Sequence, residues 1–284
     1  MKITVASSYA LDLIYLKDKT VVRDGGPALF IRRQLKREQL PFFHCKGKHV
    51  GLVEIDLRGE KPTGRTIKAS SIILPEPEEP PDLFLLSTLL DEAPVKPLGK
   101  LNAIDIQGYV RDCSDFGKKI SFSHPDLNRF QIIKATKKEA LYLPKELLDT
   151  HPLLLITDAE QGLELKSCGK SQKILVEPLS PPDAIGAGDT FFTAFSTHYC
   201  KTGSVDSAVK HALNQTRALL EEKIQNQHKA DPRKTVLFEN IPFHVNQPNG
   251  KCCGSGCAPC QLFKYKKACG IPVVPSRKFV LPKM

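Results

Sequence analysis

The chain has 284 residues, enough for one large domain or for an ordinary domain with a smaller appendage. With 41% hydrophobic and 25% charged residues it has the composition of a globular protein, which excludes disorder over its whole length. No apolar run approaches the roughly 20 residues that a membrane span requires, so no membrane partner is expected. The formal charge of +10 is unevenly placed: residues 240 to 284 hold seven Lys or Arg and no Asp or Glu, leaving +3 for the first 239. Nucleic acid is therefore not the expected partner of the main body.

Met1-Lys-Ile-Thr-Val-Ala6 runs straight into a strand pattern without the layout of a signal peptide, and a cytoplasmic protein is expected. Leu11 to Val22 carries two strand-like segments around the turn Lys17-Asp18-Lys19. Gly25-Gly26-Pro27 then breaks the pattern, and a helix is predicted from Ala28 to Gln39 with Pro27 in its first turn. His49 to Leu57 and Thr66 to Leu74 read as further strands. Together these early segments, within residues 11–74, predict a small accessory β-sheet whose exposed edges offer a route to a homodimer.

After the Pro- and Glu-rich stretch from Pro75 to Asp82 the pattern changes. Leu83 to Leu86, Ala103 to Ile106, Gln131 to Lys134 and Leu153 to Thr157 are short apolar runs suited to parallel strands buried on both faces. Candidate helices between them include Lys137 to Leu143 and Lys145 to Thr150. This alternation predicts an α/β fold with a doubly wound, mostly parallel sheet, whose ligands sit beyond the carboxyl ends of the strands.

The chemistry concentrates further on. A strand predicted at Lys173 to Pro178 leads into Asp183-Ala-Ile-Gly-Ala-Gly-Asp189 and then a helical run from Thr190 to Lys201. Gly186, Ala187 and Gly188 let the backbone approach a phosphate, and the N–H groups of the first helical turn point at it. A carboxylate beside an anion site opposes simple binding. Asp189 is explained if it is a general base, accepting the proton of an acceptor hydroxyl while electrostatics stabilise the transferring phosphoryl group. The plain alternative is an ordinary turn with an acidic first helical turn.

The segment Asp183 to Phe195 resembles the C-terminal signature of the PfkB/ribokinase carbohydrate kinases, DTxGAGD, with Ala184 in place of Thr. Weaker positions follow in the family's chain order over residues 1 to about 225. Asp12 matches its hydroxyl-binding carboxylate, and Gly25-Gly26 its substrate turn, with Phe30 where the family has Asn. Lys134-Ala-Thr-Lys-Lys-Glu139 is similar to its NxxE motif, with Thr136 for Asn and Glu139 retained; read alone it is a capping box. Thr157 to Gly162 is similar to its nucleotide loop, with Ala159 for the first Gly. Asp105-Ile-Gln-Gly-Tyr-Val-Arg111 resembles a DxQGxxR stretch of a compact subgroup. The resemblance implies a ribokinase-like fold with an accessory lid and ATP-dependent transfer to a polyol, sugar or nucleoside, with Mg²⁺. It assigns Asp189 and the Gly186–Gly188 turn to catalysis, Asp12, Gly25 and Gly26 to substrate, and Thr157, Gly162, Asp183 and Glu139 to the cofactor. A family member that has lost catalysis and serves as a scaffold is the open alternative.

The kinase reading covers residues 1–240. Residues 241–284 form a basic tail in which Cys252, Cys253, Cys257, Cys260 and Cys269 cluster. Cys252, Cys253, Cys257 and Cys260 are candidate ligands of Zn²⁺, by softness and the CxxC pair. A redox pair and a reduced tail are the alternatives. The string CCGSGCAPC resembles the motif of the oxidoreductase-like domain family, implying a separate module fused to the kinase.

Overall fold

The computed structural model describes residues 1–15, 20–45, 47, 50–56, 58–59, 63–116, 118–181, 184–227, 235–238 and 241–244. The turn expected at Lys17-Asp18-Lys19, Asp183, and the whole cysteine cluster lie outside the described residues.

The chain opens with β1 (Ile3–Ser7), β2 (Ala10–Tyr15), β3 (Thr20–Gly25) and α1 (Pro27–Arg37), followed by β4 (Phe43–Cys45), β5 (Gly51–Asp56) and β6 (Thr63–Lys68). Then come β7 (Leu83–Ser87), β8 (Leu101–Asp105), β9 (Ile132–Thr136), α2 (Lys137–Ala140), α3 (Lys145–Thr150) and β10 (Leu154–Thr157). The antiparallel strands β11 (Leu163–Ser167) and β12 (Lys170–Ile174) precede α4 (Ala187–Thr202) and α5 (Val205–Gln227). A hairpin, β13 (Thr235–Phe238) and β14 (Ile241–His244), follows.

Eight strands form the main sheet in the order β12-β11-β10-β9-β8-β7-β1-β4. From β10 to β4 every pairing is parallel; β11 and β12 close the other edge antiparallel. The apolar runs read from the sequence are the buried strands of this sheet. In β7, Leu83 and Leu85 point to a core shared with Ile31 and Leu35 of α1, Phe192 and Phe195 of α4, and Ala208 of α5. Phe84 and Leu86 point the other way, onto Phe130, Ala140 and Leu147. Alternate residues of one strand thus serve two cores, as the period of a β-strand requires.

The expected accessory sheet is present as β3-β2-β5-β6. Its inner face brings Ala10 and Val53 against Leu89, beyond the end of β7. Two expectations are corrected. Among the described residues the crossover from β7 to β8 carries no helix, and that from β8 to β9 carries no α-helix, only 3-10 turns at Ile106–Gly108 and Pro125–Arg129. The strand expected at Lys173 to Pro178 is instead Lys170–Ile174, a solvent-facing edge strand whose residues Lys170 to Lys173 are all exposed, so it shows no apolar pattern. The glycine turn is therefore reached through an extended segment rather than directly from a strand.

Candidate active site

The carboxyl ends of the parallel strands present a continuous row of polar side chains. Ser7 is in register with Ser87, Ser87 with Asp105, Asp105 with Lys134, and Thr136 with Thr157. Ser7, Ser87 and Asp105 are fully buried and Lys134 is 2% exposed. Polar groups so placed are costly unless partnered or functional.

Asp189 stands over this row. Gly186 caps α4 in the left-handed conformation, φ 85° and ψ −4°, which an L side chain rarely adopts. A Cβ there would meet the ring of Phe30 at 2.1 Å. The Ala187 N–H donates to Ala184 O (3.1 Å), and Thr190 N–H donates to Gly186 O (2.9 Å). Gly188 and Asp189 occupy the first turn, where backbone N–H groups have no partner within the helix. The Lys223 ammonium on α5 ties the turn down by donating to Ile185 O (2.7 Å).

The Asp189 carboxylate accepts through Oδ1 from Gln107 Nε2 (3.0 Å), which also reaches Ser87 Oγ (3.4 Å). Gln107 is itself fixed, its N–H donating to Asp105 Oδ1 (3.2 Å). Asp105 Oδ2 accepts from Lys134 Nζ at 2.8 Å in an ion pair closed to solvent. Burial pushes the Asp189 carboxyl up, against the pull of Lys134, Gln107 and Arg111. Burial likewise pushes Asp105 up to about 7, despite Lys134 beside it. Burial alone would lower Lys134, but Asp105, Glu139 and Asp189 together hold its ammonium above its ordinary range. Arg111, its guanidinium donating to Leu89 O (3.0 Å), is lowered by burial against the attraction of Glu139, Asp105, Asp189 and Glu92.

Glu139 fulfils the capping-box expectation. Its Oε2 accepts from Thr136 N–H (2.8 Å), while Thr136 Oγ1 accepts from Glu139 N–H (3.3 Å). Burial works against its ionisation, but Lys134, Thr136 and Lys119 hold the carboxyl below its usual range. The helix it starts is shorter than expected, ending at Ala140 rather than Leu143.

Thr157 and Gly162 flank a 3-10 turn, Ala159–Gln161, that joins β10 to β11. Gly162 has φ 94°, and a Cβ on it would strike Ile174 O at 2.1 Å, so close strand approach requires glycine there. Ala159, where the resemblance expects glycine, takes the left-handed φ of 47°. Lys137 Nζ donates to Asp158 Oδ2 (2.7 Å), tying this turn to the start of α2.

On the accessory sheet, Asp12 is 4% exposed on β2, and its carboxylate lies over Gly25, where a Cβ would come within 2.1 Å of Oδ2. Gly26 has φ 80° and leaves no room for a Cβ beside Ser8 O and Ala10 N. Both glycines are thus required by local geometry. Phe30, one helical turn further, connects this corner to Gly186.

Sequence reasoning singled out neither Lys134 nor Gln107, and quoted Arg111 only within a motif. A signal for the first was present: two buried apolar strands carry opposite charges, Asp105 at the end of β8 and Lys134 within β9. Seeing them as partners needs the register of the sheet.

No protein-family model and no curated protein matches the chain. Solved structures do. A pyrophosphate-dependent kinase in the ribokinase family, complexed with a pyrophosphate analog and myo-inositol, is 16% identical with a TM-score of 0.61; the match covers 78% of this chain and 95% of that one. A fructokinase double mutant from Vibrio cholerae O395, with fructose, ADP and potassium ion bound, is 14% identical with a TM-score of 0.54, covering 78% and 98%. An uncharacterised sugar kinase from Pyrococcus horikoshii in complex with ATP is 17% identical with a TM-score of 0.52, covering 75% and 90%. The eight-stranded, mostly parallel sheet with its small second sheet is the ribokinase-like fold.

Proposed function

We propose that this chain is an ATP-dependent phosphotransferase acting on an alcohol group of a sugar, inositol or nucleoside, with Asp189 as general base. The observation that carries this reading is Asp189 itself. It is a half-buried carboxylate in the first turn of α4, beside a glycine turn, oriented by Gln107 through one oxygen so that the other remains for a hydroxyl. In the reaction, the acceptor hydroxyl gives its proton to Asp189 as its oxygen bonds the terminal phosphorus of ATP; the bond from that phosphorus to the bridging oxygen breaks, and ADP leaves.

The N–H groups of Gly188 and Asp189 face developing charge on the phosphoryl oxygens, the role proposed for Gly186 to Gly188 as a turn. Asp12, with Gly25 and Gly26, holds acceptor hydroxyls. Thr157, Gly162 and Asp183 are assigned to the nucleotide. When bound with the donor phosphates, Mg²⁺ neutralises their charge. Glu139 suits an outer-sphere role toward it, since only its Oε2 is engaged in the capping box. Among the described residues no group of three or more His, Cys, Asp or Glu is arranged to hold a metal ion by itself.

The neighbours' bound ligands support this chemistry: ATP in one, fructose and ADP in another, and myo-inositol with a pyrophosphate analog in a third. The test is turnover by the purified protein with Mg·ATP or Mg·pyrophosphate and a panel of polyols, sugars and nucleosides. Acceptor-dependent release of ADP is expected, and Asp189→Asn should lower it by about 10²–10⁴-fold. No acceptor-dependent product, or an unaffected variant, sinks the reading.

Residues 241–284 are proposed to be a separate module with Cys252, Cys253, Cys257 and Cys260 as zinc ligands. Metal analysis of the full chain against a Cys257→Ser, Cys260→Ser variant tests it; equal zinc in both overturns it. Among the described residues no helix is long and apolar enough to cross a membrane.

A further inference from the structure

One buried group in the active site has no duty in the reaction as stated so far. Lys134 is 2% exposed in the middle of β9, and among the described residues its bond to Asp105 Oδ2 (2.8 Å) is its single hydrogen bond. An ammonium has three N–H donors, so two are unused in a place where water is excluded. Leaving donors of a buried charge unmatched is costly.

The direction of those donors matters. Nζ stands 3.0 Å from where a Cβ on Gly188 would lie, beside the first turn of α4. Any side chain at 188 would press on the ammonium, a contact that glycine avoids. Asp189 is the next residue, and Arg111 Nε, also buried and attracted to the same carboxylates, has no hydrogen-bond partner. Two cations with unmet donors thus lie in the field of the same carboxylates, and Lys134 is the one beside the glycine turn. Of the carboxylates around it, Lys134 donates to Asp105 alone; Glu139 and Asp189 are engaged through one oxygen each, by Thr136 N–H and by Gln107.

We propose that Lys134 is a further catalytic residue, a fixed cation that binds a non-bridging oxygen of the transferring phosphoryl group opposite Gly188, with Asp105 as its positioning partner. The proposal rests on the reading of this site as a phosphotransferase. It makes the enzyme less reliant on carboxylate-held metal than Glu139 and Thr136 alone would require, because one positive charge is built into the floor of the site. A point charge on a flexible stem suits the role: it can follow the phosphorus as charge moves from donor to acceptor without a change in its own protonation.

The rival explanation is structural, with Lys134 present only to neutralise Asp105. The two differ in a double variant. Lys134→Met alone strands a buried carboxylate and is expected to lower the melting temperature, whereas Lys134→Met/Asp105→Asn replaces the ion pair by uncharged groups of similar volume and should fold. Binding of inorganic tripolyphosphate to the full chain without Mg²⁺, followed by calorimetry, is the readout. The wild type is expected to bind, and the double variant, folded by circular dichroism and melting, to bind at least 10-fold more weakly. Lys134→Arg, which keeps the charge, should retain part of the affinity.

Wild-type affinity in the double variant, or no binding by the wild type, overturns the proposal. Turnover separates this outcome from failure of the kinase reading. Lys134-dependent tripolyphosphate binding with no acceptor phosphorylated removes the kinase and leaves the anion-binding lysine, whereas wild-type kcat in the folded double variant removes the lysine and leaves the kinase.

Discussion

The two carboxylates assigned to the acceptor sit in opposite surroundings. Asp189 belongs to a bonded web on the floor of the main sheet, with Gln107, Asp105 and Lys134 each fixed by another member and Arg111 donating to Leu89 O. Asp12 lies on a strand of the accessory sheet among Ala10, Leu11, Leu13 and Ile14, all buried and apolar, with bare Gly25 beneath it. Ionisable side chains crowd the floor of the main sheet, whereas apolar residues flank Asp12 along its own strand. On the proposed reading, the reaction type rests on several mutually bonded residues and acceptor choice on a few positions, one of which, Phe30, carries an aromatic ring where the family that the sequence resembles has an amide.

Phe30 is also where the two regions touch, and the largest effect is expected there. Gly186→Ala forces an L side chain into φ 85° and drives its Cβ into the Phe30 ring, which has three atoms within 2.4 Å of that point. Backbone strain and overpacking together should cost roughly 2–4 kcal/mol, a fall in melting temperature of about 5–15 °C. Gly186→Ala/Phe30→Ala removes the overpacking but not the strain, so it should recover part of the Gly186→Ala loss when the Phe30→Ala single variant is used as reference. No recovery would mean that the ring and the turn are not in contact.

A smaller effect tests the floor. The Asp105 carboxyl is raised by burial from its ordinary value to about 7, so the folded state holds this proton more tightly than the unfolded chain does. The stability it contributes is complete below about pH 4 and is lost as the pH rises toward about 7 and beyond. His151 and His198, both lowered by burial, act in the opposite sense over part of this range, so the quantity to measure is a difference. The melting temperature of the wild type minus that of Asp105→Asn should shrink by a few degrees from pH 5 to pH 8. A constant difference would show that Asp105 is ionised throughout.

The same contrast explains what could be read from the chain. Buried parallel strands announce themselves because both faces need apolar residues, and β7, β8, β9 and β10 were found within two residues of their ends. Edge strands do not: β12 has four exposed residues in succession, and the apolar run nearest to it, Ile174 to Val176, belongs mostly to the extended segment, with Leu175 73% exposed. Helices were expected in the crossovers after β7 and β8, but Pro94 and Pro97 occupy the first, and the second turns through Gly108 against the backbone of Thr88 and Leu90. In the site, Asp189 and the glycine turn were legible because their conformation restricts composition locally. Lys134, Gln107 and Arg111 meet through sheet register and a loop, and nothing local marks them. Ala159 shows the reverse case: the resemblance marks a glycine position, and φ 47° supplies the reason.

The smallest effect concerns Thr136, which stands where the family has Asn. Its Oγ1 accepts from Glu139 N–H at 3.3 Å and caps α2, while Glu139 returns a bond to Thr136 N–H at 2.8 Å. Thr136→Ala removes the first bond and leaves the second, so it should cost about 1 kcal/mol, or some 2–4 °C in melting temperature. Thr136→Asn can still cap the helix, since Asn ranks with the best residues at this position, and should cost little. If Thr136 serves only the helix, kcat of Thr136→Asn equals that of the wild type. If the position also orders the cluster around Glu139, an amide there changes the Mg²⁺ dependence of turnover while the melting temperature stays within about a degree of the wild type. Thr136 thus separates a residue that holds Glu139 in place from one that shares its task.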